Sequence, residues 1–177
     1  AVSEVKLHWS SQFIEYFRRK GVLRGYQSGE MKPDQAITRA ELTKVILETL
    51  DVSTSGQRFS ARFGDVQRRD WYWKYVEKAA DLGIIQGYSD GSFRPNQSVT
   101  RAEALTIIFR AFDVPSRSSQ KLFSDVSRGQ WFYDAVSTAY EFGLVKGYDD
   151  GSFRPHTSIT RGEASKIAYL ASQKFDF

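Results

Sequence analysis

The chain has 177 residues, of which 41% are hydrophobic, 26% charged and 15% aromatic, and it contains no cysteine. That composition belongs to a folded globular protein; it excludes disordered and collagen-like chains, a disulfide framework, thiolate metal sites and cysteine nucleophiles. Twenty-five Lys and Arg against 21 Asp and Glu give a net charge of +4, but the longest basic cluster is Arg18-Arg19-Lys20, so the dense basic blocks of a nucleic-acid binder are missing while acidic polysaccharides remain candidate partners.

No apolar stretch approaches the ~18–20 residues that span a bilayer, so membrane insertion is not expected. The start, Ala1-Val2-Ser3-Glu4, lacks a charged-then-apolar leader pattern, as a mature N-terminus or a trimmed chain would. Reading onward, Tyr88 to Pro95 reappears as Tyr148 to Pro155, a shift of 60 that also carries Trp71 onto Trp131 and Arg101 onto Arg161. A shift of 62 in the other direction carries Trp71 onto Trp9, Gly83 onto Gly21, Gly87 onto Gly25, Pro95 onto Pro33 and Arg101 onto Arg39. The chain is three copies of one unit, at 1–52, 63–114 and 123–177, with connectors at 53–62 and 115–122.

In each copy the first element is an amphipathic helix, read from the stripe Trp71, Tyr75, Val76, Ala79 and Leu82. Gly21, Gly83 and Gly143 stand where a left-handed residue ends that helix. A turn-rich loop follows, carrying Gly25, Gly87 and Gly147, then Asp-Gly in copies two and three, then an X-Pro pair. The second helix opens on Thr38-Arg39-Ala40-Glu41, Thr100-Arg101-Ala102-Glu103 and Thr160-Arg161-Gly162-Glu163, each a Thr-x-x-Glu capping box. Its apolar coverage in copy two, Ala104, Leu105, Ile107, Ile108, Ala111 and Phe112, predicts burial on more than one side and hence a central position. A single copy of about 60 residues would bury only about 60% of its unfolded surface, so three copies packed together are the more stable arrangement; the expected architecture is mainly α, three helix-loop-helix repeats packed as one pseudo-threefold domain.

The capping box explains Thr and Glu but not the arginine between them, because a cation in the first helical turn opposes the macrodipole. Arg39, Arg101 and Arg161 are therefore candidates for an anion site, in which the guanidinium and the N–H groups of the helix start face one carboxylate or phosphate; the other reading is an internal salt bridge or a solvated arginine. On the anion reading, Arg101→Ala should leave helix and fold intact. Trp9, Trp71 and Trp131 fit core packing or, if partly exposed, a stacking face for sugar. Gly25, Gly87 and Gly147 supply a turn or let a ligand approach the main chain. Asp65 and Asp125, in Phe-Gly-Asp-Val and Phe-Ser-Asp-Val, are expected to order a loop by accepting backbone N–H bonds, with hydroxyl binding as the alternative. The Asp-Gly turns lack the alternating ligands of a calcium loop, and His8 and His156 occupy non-equivalent positions outside any serine or metal motif, so no catalytic residue, metal or cofactor is expected.

Together, Phe-x-Asp-Val, Trp, Gly-Tyr-x-Asp-Gly-x-Phe-x-Pro and Thr-Arg-Ala-Glu resemble the S-layer homology (SLH) domain family over nearly the whole chain. The resemblance implies a three-pronged, pseudo-trimeric helical domain that anchors a longer, extracellular bacterial protein of the S-layer or wall to secondary cell-wall polysaccharide or a peptidoglycan-linked glycan, often through pyruvylated sugars held between repeats. It also implies ligand roles for Arg39, Arg101 and Arg161, for Trp9, Trp71 and Trp131, for Gly25, Gly87 and Gly147, and for Asp65 and Asp125. Copy one lacks Phe-x-Asp-Val and has Ser28-Gly29, Met31 and Lys32 in the loop, which makes its groove the one expected to be weakest. Gly162 in copy three would open room for a bulkier sugar. A helical scaffold for protein partners is the alternative function.

Overall fold

The computed structural model describes residues 8–56, 58–116 and 123–175; both chain ends of the three-copy division and most of the 115–122 connector lie outside them. Among the described residues six helices follow one another: α1 Ser11–Arg19, α2 Arg39–Thr49, α3 Trp73–Asp81, α4 Arg101–Ala111, α5 Tyr133–Glu141 and α6 Arg161–Lys174. The odd-numbered helices are the first helices of the three copies and the even-numbered ones the second.

The local signals act as expected. Thr38, Thr100 and Thr160 each accept from the amide of Glu41, Glu103 and Glu163, and each glutamate accepts the threonine's own amide in return at 2.9 Å. Gly21, Gly83 and Gly143 take φ of 72–73°, and the residues after them close the helix ends: Val22, Ile84 and Leu144 donate back to Phe17, Ala79 and Ala139. The odd-numbered helices begin two residues beyond the tryptophans, so Trp9, Trp71 and Trp131 stand ahead of the apolar stripe rather than in it.

Assembly is cyclic. Ile37, Val99 and Ile159, each at most 1% exposed, meet at the centre and pass a backbone bond around: Ile37 donates to Ile159, Ile159 to Val99, and Val99 to Ile37. Bridges Ala36–Thr160, Thr38–Ser98 and Thr100–Ser158 flank this triangle. The three even-numbered helices pack on one another below it, and each odd-numbered helix lies against an even-numbered helix of the preceding copy: α3 on α2, α5 on α4, and α1 on α6, which closes the ring. The main apolar core runs through this contact set, and Ile14, Phe17, Val22, Leu23, Met31, Val45 and Ala168 form a satellite where copy one meets α6. A repeat in sequence is thus not a packing unit in space.

Two sites give sharp tests. The gap that alanine would fill at Gly162 is occupied by Ser10: a Cβ there would lie 2.6 Å from Ser10 Oγ, 2.9 Å from Ser10 Cβ and 3.2 Å from the Pro33 oxygen. The room left by this glycine therefore serves packing of copy one against copy three, not a larger sugar. Gly162→Ala is expected to lower the melting temperature, by about 1–3 kcal/mol of overpacking that outweighs helix propensity, and Ser10→Gly should relieve it in a double-mutant cycle.

Glu77 is fully buried on α3; its Oε1 accepts from the Arg62 amide at 3.1 Å while Oε2 has no hydrogen-bond partner among the described residues. Burial pushes its carboxyl above 4.5 despite Arg62, whose Nε lies 3.9 Å away, and Asp81 adds to the rise. A raised folded-state pKa means that the penalty for charge is absent below the unfolded value and grows as pH rises through the folded one. Glu77→Gln should therefore melt at a higher temperature than the parent at pH 7, and thermal scans should show the difference disappearing below pH 4.5.

Candidate functional site

Helix starts normally leave four N–H groups free for a ligand or solvent. At the starts of α2, α4 and α6 none is available. The amides of Arg39 and Ala40 donate to the carbonyls of Gln97 and Pro95, those of Arg101 and Ala102 to Thr157 and Pro155, and those of Arg161 and Gly162 to Gln35 and Pro33. The third amide is capped by threonine and the fourth joins the helix. An anion held by exposed helix-start amides, as the sequence suggested, is therefore excluded by the way neighbouring copies dock.

The arginines run the same way, from each copy into the next. Arg39 Nε donates to the Phe93 carbonyl at 2.8 Å and Nη2 to Gln86 at 3.0 Å; Arg101 Nε donates to Phe153 at 3.0 Å and Nη1 to Glu163 at 2.6 Å. Arg161 closes the circle, donating to Met31 and Arg24 carbonyls at 3.0 Å each and to Glu41 at 2.8 Å. The corresponding Arg39–Glu103 pair is looser, 3.9 Å. All three arginines are buried, at 5%, 6% and 2% exposure, and each guanidinium lies over an aromatic ring, Tyr88, Tyr148 or Tyr26, at 4.9–5.2 Å. The macrodipole cost is offset because the charge leaves its own helix and settles against the capping-box glutamate of the next.

Where this pair reaches the surface, a third copy contributes a tryptophan. Arg161 of copy three, Gly25, Glu41 and Lys44 of copy one, and Trp71 of copy two line a cavity of about 520 Å³. Arg101, Gly147, Glu163, Lys166 and Trp9 line one of about 150 Å³, and Arg39, Glu103, Thr106 and Trp131 one of about 110 Å³ that adjoins a further 320 Å³ hollow at Trp131. The tryptophans are 54%, 54% and 62% exposed, so their rings are groove walls and not core. The groove built on copy one, expected to be the weakest, is the most spacious. In it Tyr75 donates to Glu48 at 2.6 Å, and burial together with that carboxylate pushes the phenol up to about 12, leaving it a neutral wall.

The glycines and aspartates shape the loops. A Cβ at Gly87 or Gly147 would lie 2.4 or 2.3 Å from the ring of Phe63 or Phe123, and one at Gly25 2.9 Å from the Gly29 oxygen. Gly25 and Gly147 line grooves, whereas Gln86 stands in for Gly87 in the third. Asp65 accepts the amides of Phe93 and Arg94 at 2.8 and 2.7 Å, and Asp125 those of Phe153 and Arg154 at the same distances, which holds Arg94 and Arg154 at φ of 58–59°. Neither aspartate lines any of these four cavities. Sequence reasoning missed the capping-box glutamates and Lys44 and Lys166 as groove residues. The glutamates already had a local explanation, and the lysines repeat in only two copies.

Among the described residues no group of three His, Cys, Asp or Glu is placed to hold a metal, and no helix is long and apolar enough to cross a membrane. Arg101→Ala would strand the Glu163 carboxylate and the Phe153 carbonyl, so the variant is expected to be less stable by about 3 kcal/mol, the low end for breaking a buried pair because the Glu163 side chain keeps 24% exposure. Denaturant titration reads this directly; the buried, paired setting of Arg101 is at odds with the expectation that the residue could be removed without cost to the fold.

Comparisons with known proteins agree with the three-copy architecture. The chain is 33% identical over 97% of its length to an amylopullulanase of Thermoanaerobacterium thermosulfurigenes, and 32% identical over 80% to a cellulosome-anchoring protein of Acetivibrio thermocellus. It is also 35% identical over 61% to the surface-layer 125 kDa protein of Lysinibacillus sphaericus. It spans only 9%, 33% and 9% of these relatives. The model of the S-layer homology domain matches residues 5–43, 62–105 and 122–165, and the chain belongs to that family.

Proposed function

We propose that this domain holds a longer surface protein to the bacterial cell wall by binding an anionic wall glycan, without turning it over, in the grooves between its copies. The observation that carries this is the composite groove: a buried arginine paired with a half-buried glutamate of the next copy, faced by a largely exposed tryptophan from the third, occurs three times around one axis. A guanidinium edge beside an aromatic wall suits a carboxylate-bearing sugar, whose acid meets the cation and whose ring face meets the indole. The relatives support the setting, since one is named for anchoring cellulosomes and another for the surface layer. On this reading Arg39, Arg101 and Arg161, with Trp9, Trp71 and Trp131, touch the glycan. Gly25, Gly87 and Gly147 let its backbone walls come close, and Asp65 and Asp125 act through the loop they clamp.

Calorimetry with purified bacterial wall polysaccharide, before and after methyl-esterification of its carboxyl groups, tests the proposal. Binding should be strong before treatment and largely lost after it, with no shortened glycan on chromatography. Equal binding of both preparations, or retention of wall protein in place of glycan, would overturn it. Trp71→Ala should cost about 2 kcal/mol, roughly 30-fold, when a monovalent fragment is used so that avidity does not mask the loss.

A further inference from the structure

The arginine, the glutamate and the tryptophan recur in every groove, so they cannot distinguish one groove from another. The residues around them can. At three matched positions the groove of Arg161 and Trp71 carries Arg24, Lys44 and Lys74, whereas around Arg39 and Trp131 the same positions carry Gln86, Thr106 and Asp134. The groove of Arg101 and Trp9 has Lys146 and Lys166 at the first two.

Charge balance follows. Four cations face one carboxylate in the Trp71 groove and three face one in the Trp9 groove. Around Trp131, Arg39 and Arg110 face Glu103, Asp113 and Asp134. Lys146 and Lys166 have no carboxylate within 4.0 Å among the described residues, so their charge is free for a ligand; Lys44 is tied to Glu48 at 3.1 Å and to the Val22 carbonyl, whereas Arg24 and Lys74, the latter over the Tyr75 ring at 5.2 Å, have no carboxylate within 4.0 Å among the described residues. Thr106 offers nothing comparable, since its hydroxyl donates back to Ala102 of its own helix at 3.0 Å.

Resting on the glycan-binding reading, we propose that acid selectivity in this chain resides in two grooves, those of Trp71 and Trp9, and that the Trp131 groove does not distinguish an acidic sugar from its neutral form. Arg24 and Lys74 in one groove and Lys146 and Lys166 in the other are the specificity-determining residues. Their field adds to the common arginine, whereas Asp113 and Asp134 cancel it around Trp131.

Each groove has its own reporter, because Trp9, Trp71 and Trp131 give separate indole N–H resonances, assigned by Trp→Phe variants. The intact domain is titrated with a series of methyl hexosides bearing a pyruvate ketal, and with the same compounds after methyl-esterification of the ketal carboxyl. The expected result is that the Trp71 and Trp9 signals respond to an acid at about tenfold lower concentration than to its ester, with the preference shrinking in high salt. Trp131 should respond to both alike or to neither. Thr106→Lys, and independently Asp134→Lys, should then give Trp131 an acid preference of about threefold or more. Two results overturn the inference while the glycan reading stands: an acid preference at Trp131 in the parent equal to that at Trp71 and Trp9, or no gain there in either lysine variant. Silence of all three indoles toward both ligands would overturn the glycan reading and the inference with it.

Discussion

Everything in this domain depends on how three helix starts are satisfied. Each of α2, α4 and α6 presents free N–H groups at the centre of the molecule, where water cannot reach them, and each borrows two carbonyls from the loop of the next copy. The loops can supply them because Asp65 and Asp125 fix two of the three in a left-handed bend and the capping boxes fix the segment that follows. The arginines extend the same transaction beyond the backbone. A buried guanidinium would be costly alone, yet each one finds two or three acceptors on the neighbouring copy, at sequence separations from 47 to 137 residues.

Much of this was legible locally. Capping boxes, helix-ending glycines, three copies and a buried central helix all act within a few residues, and a single sequence records them. The destination of Arg39, Arg101 and Arg161 was not legible, because it depends on which copy docks beside which, and no periodicity encodes that order. The amphipathic stripe likewise left the tryptophans undecided between core and groove wall. They precede the helices by two residues, and an apolar residue at that offset looks like one more member of the stripe. The loop of copy one departs from the pattern, but the size of its groove is set largely by residues outside that loop, such as Lys44, Val45 and Tyr75.

Stability and recognition share side chains here. The glutamate that closes a capping box also receives the arginine of the preceding copy and forms part of a groove wall, so one carboxylate serves a helix, an interface and a surface. Mutations at these positions will move binding and folding together, and only residues outside the shared set, such as Lys166 or Thr106, can separate the two.

The closure of α1 onto α6 also limits how such a chain can grow. A solenoid has two open ends and accepts another repeat at either, gaining stability with each addition. A ring has none: the surface of copy three that would receive a fourth unit is already covered by copy one, through Ser10 at Gly162 and Arg161 at Glu41. Lengthening by one copy would open the ring or leave the newcomer unpaired, so duplication in a protein of this design is favoured only in whole sets of three.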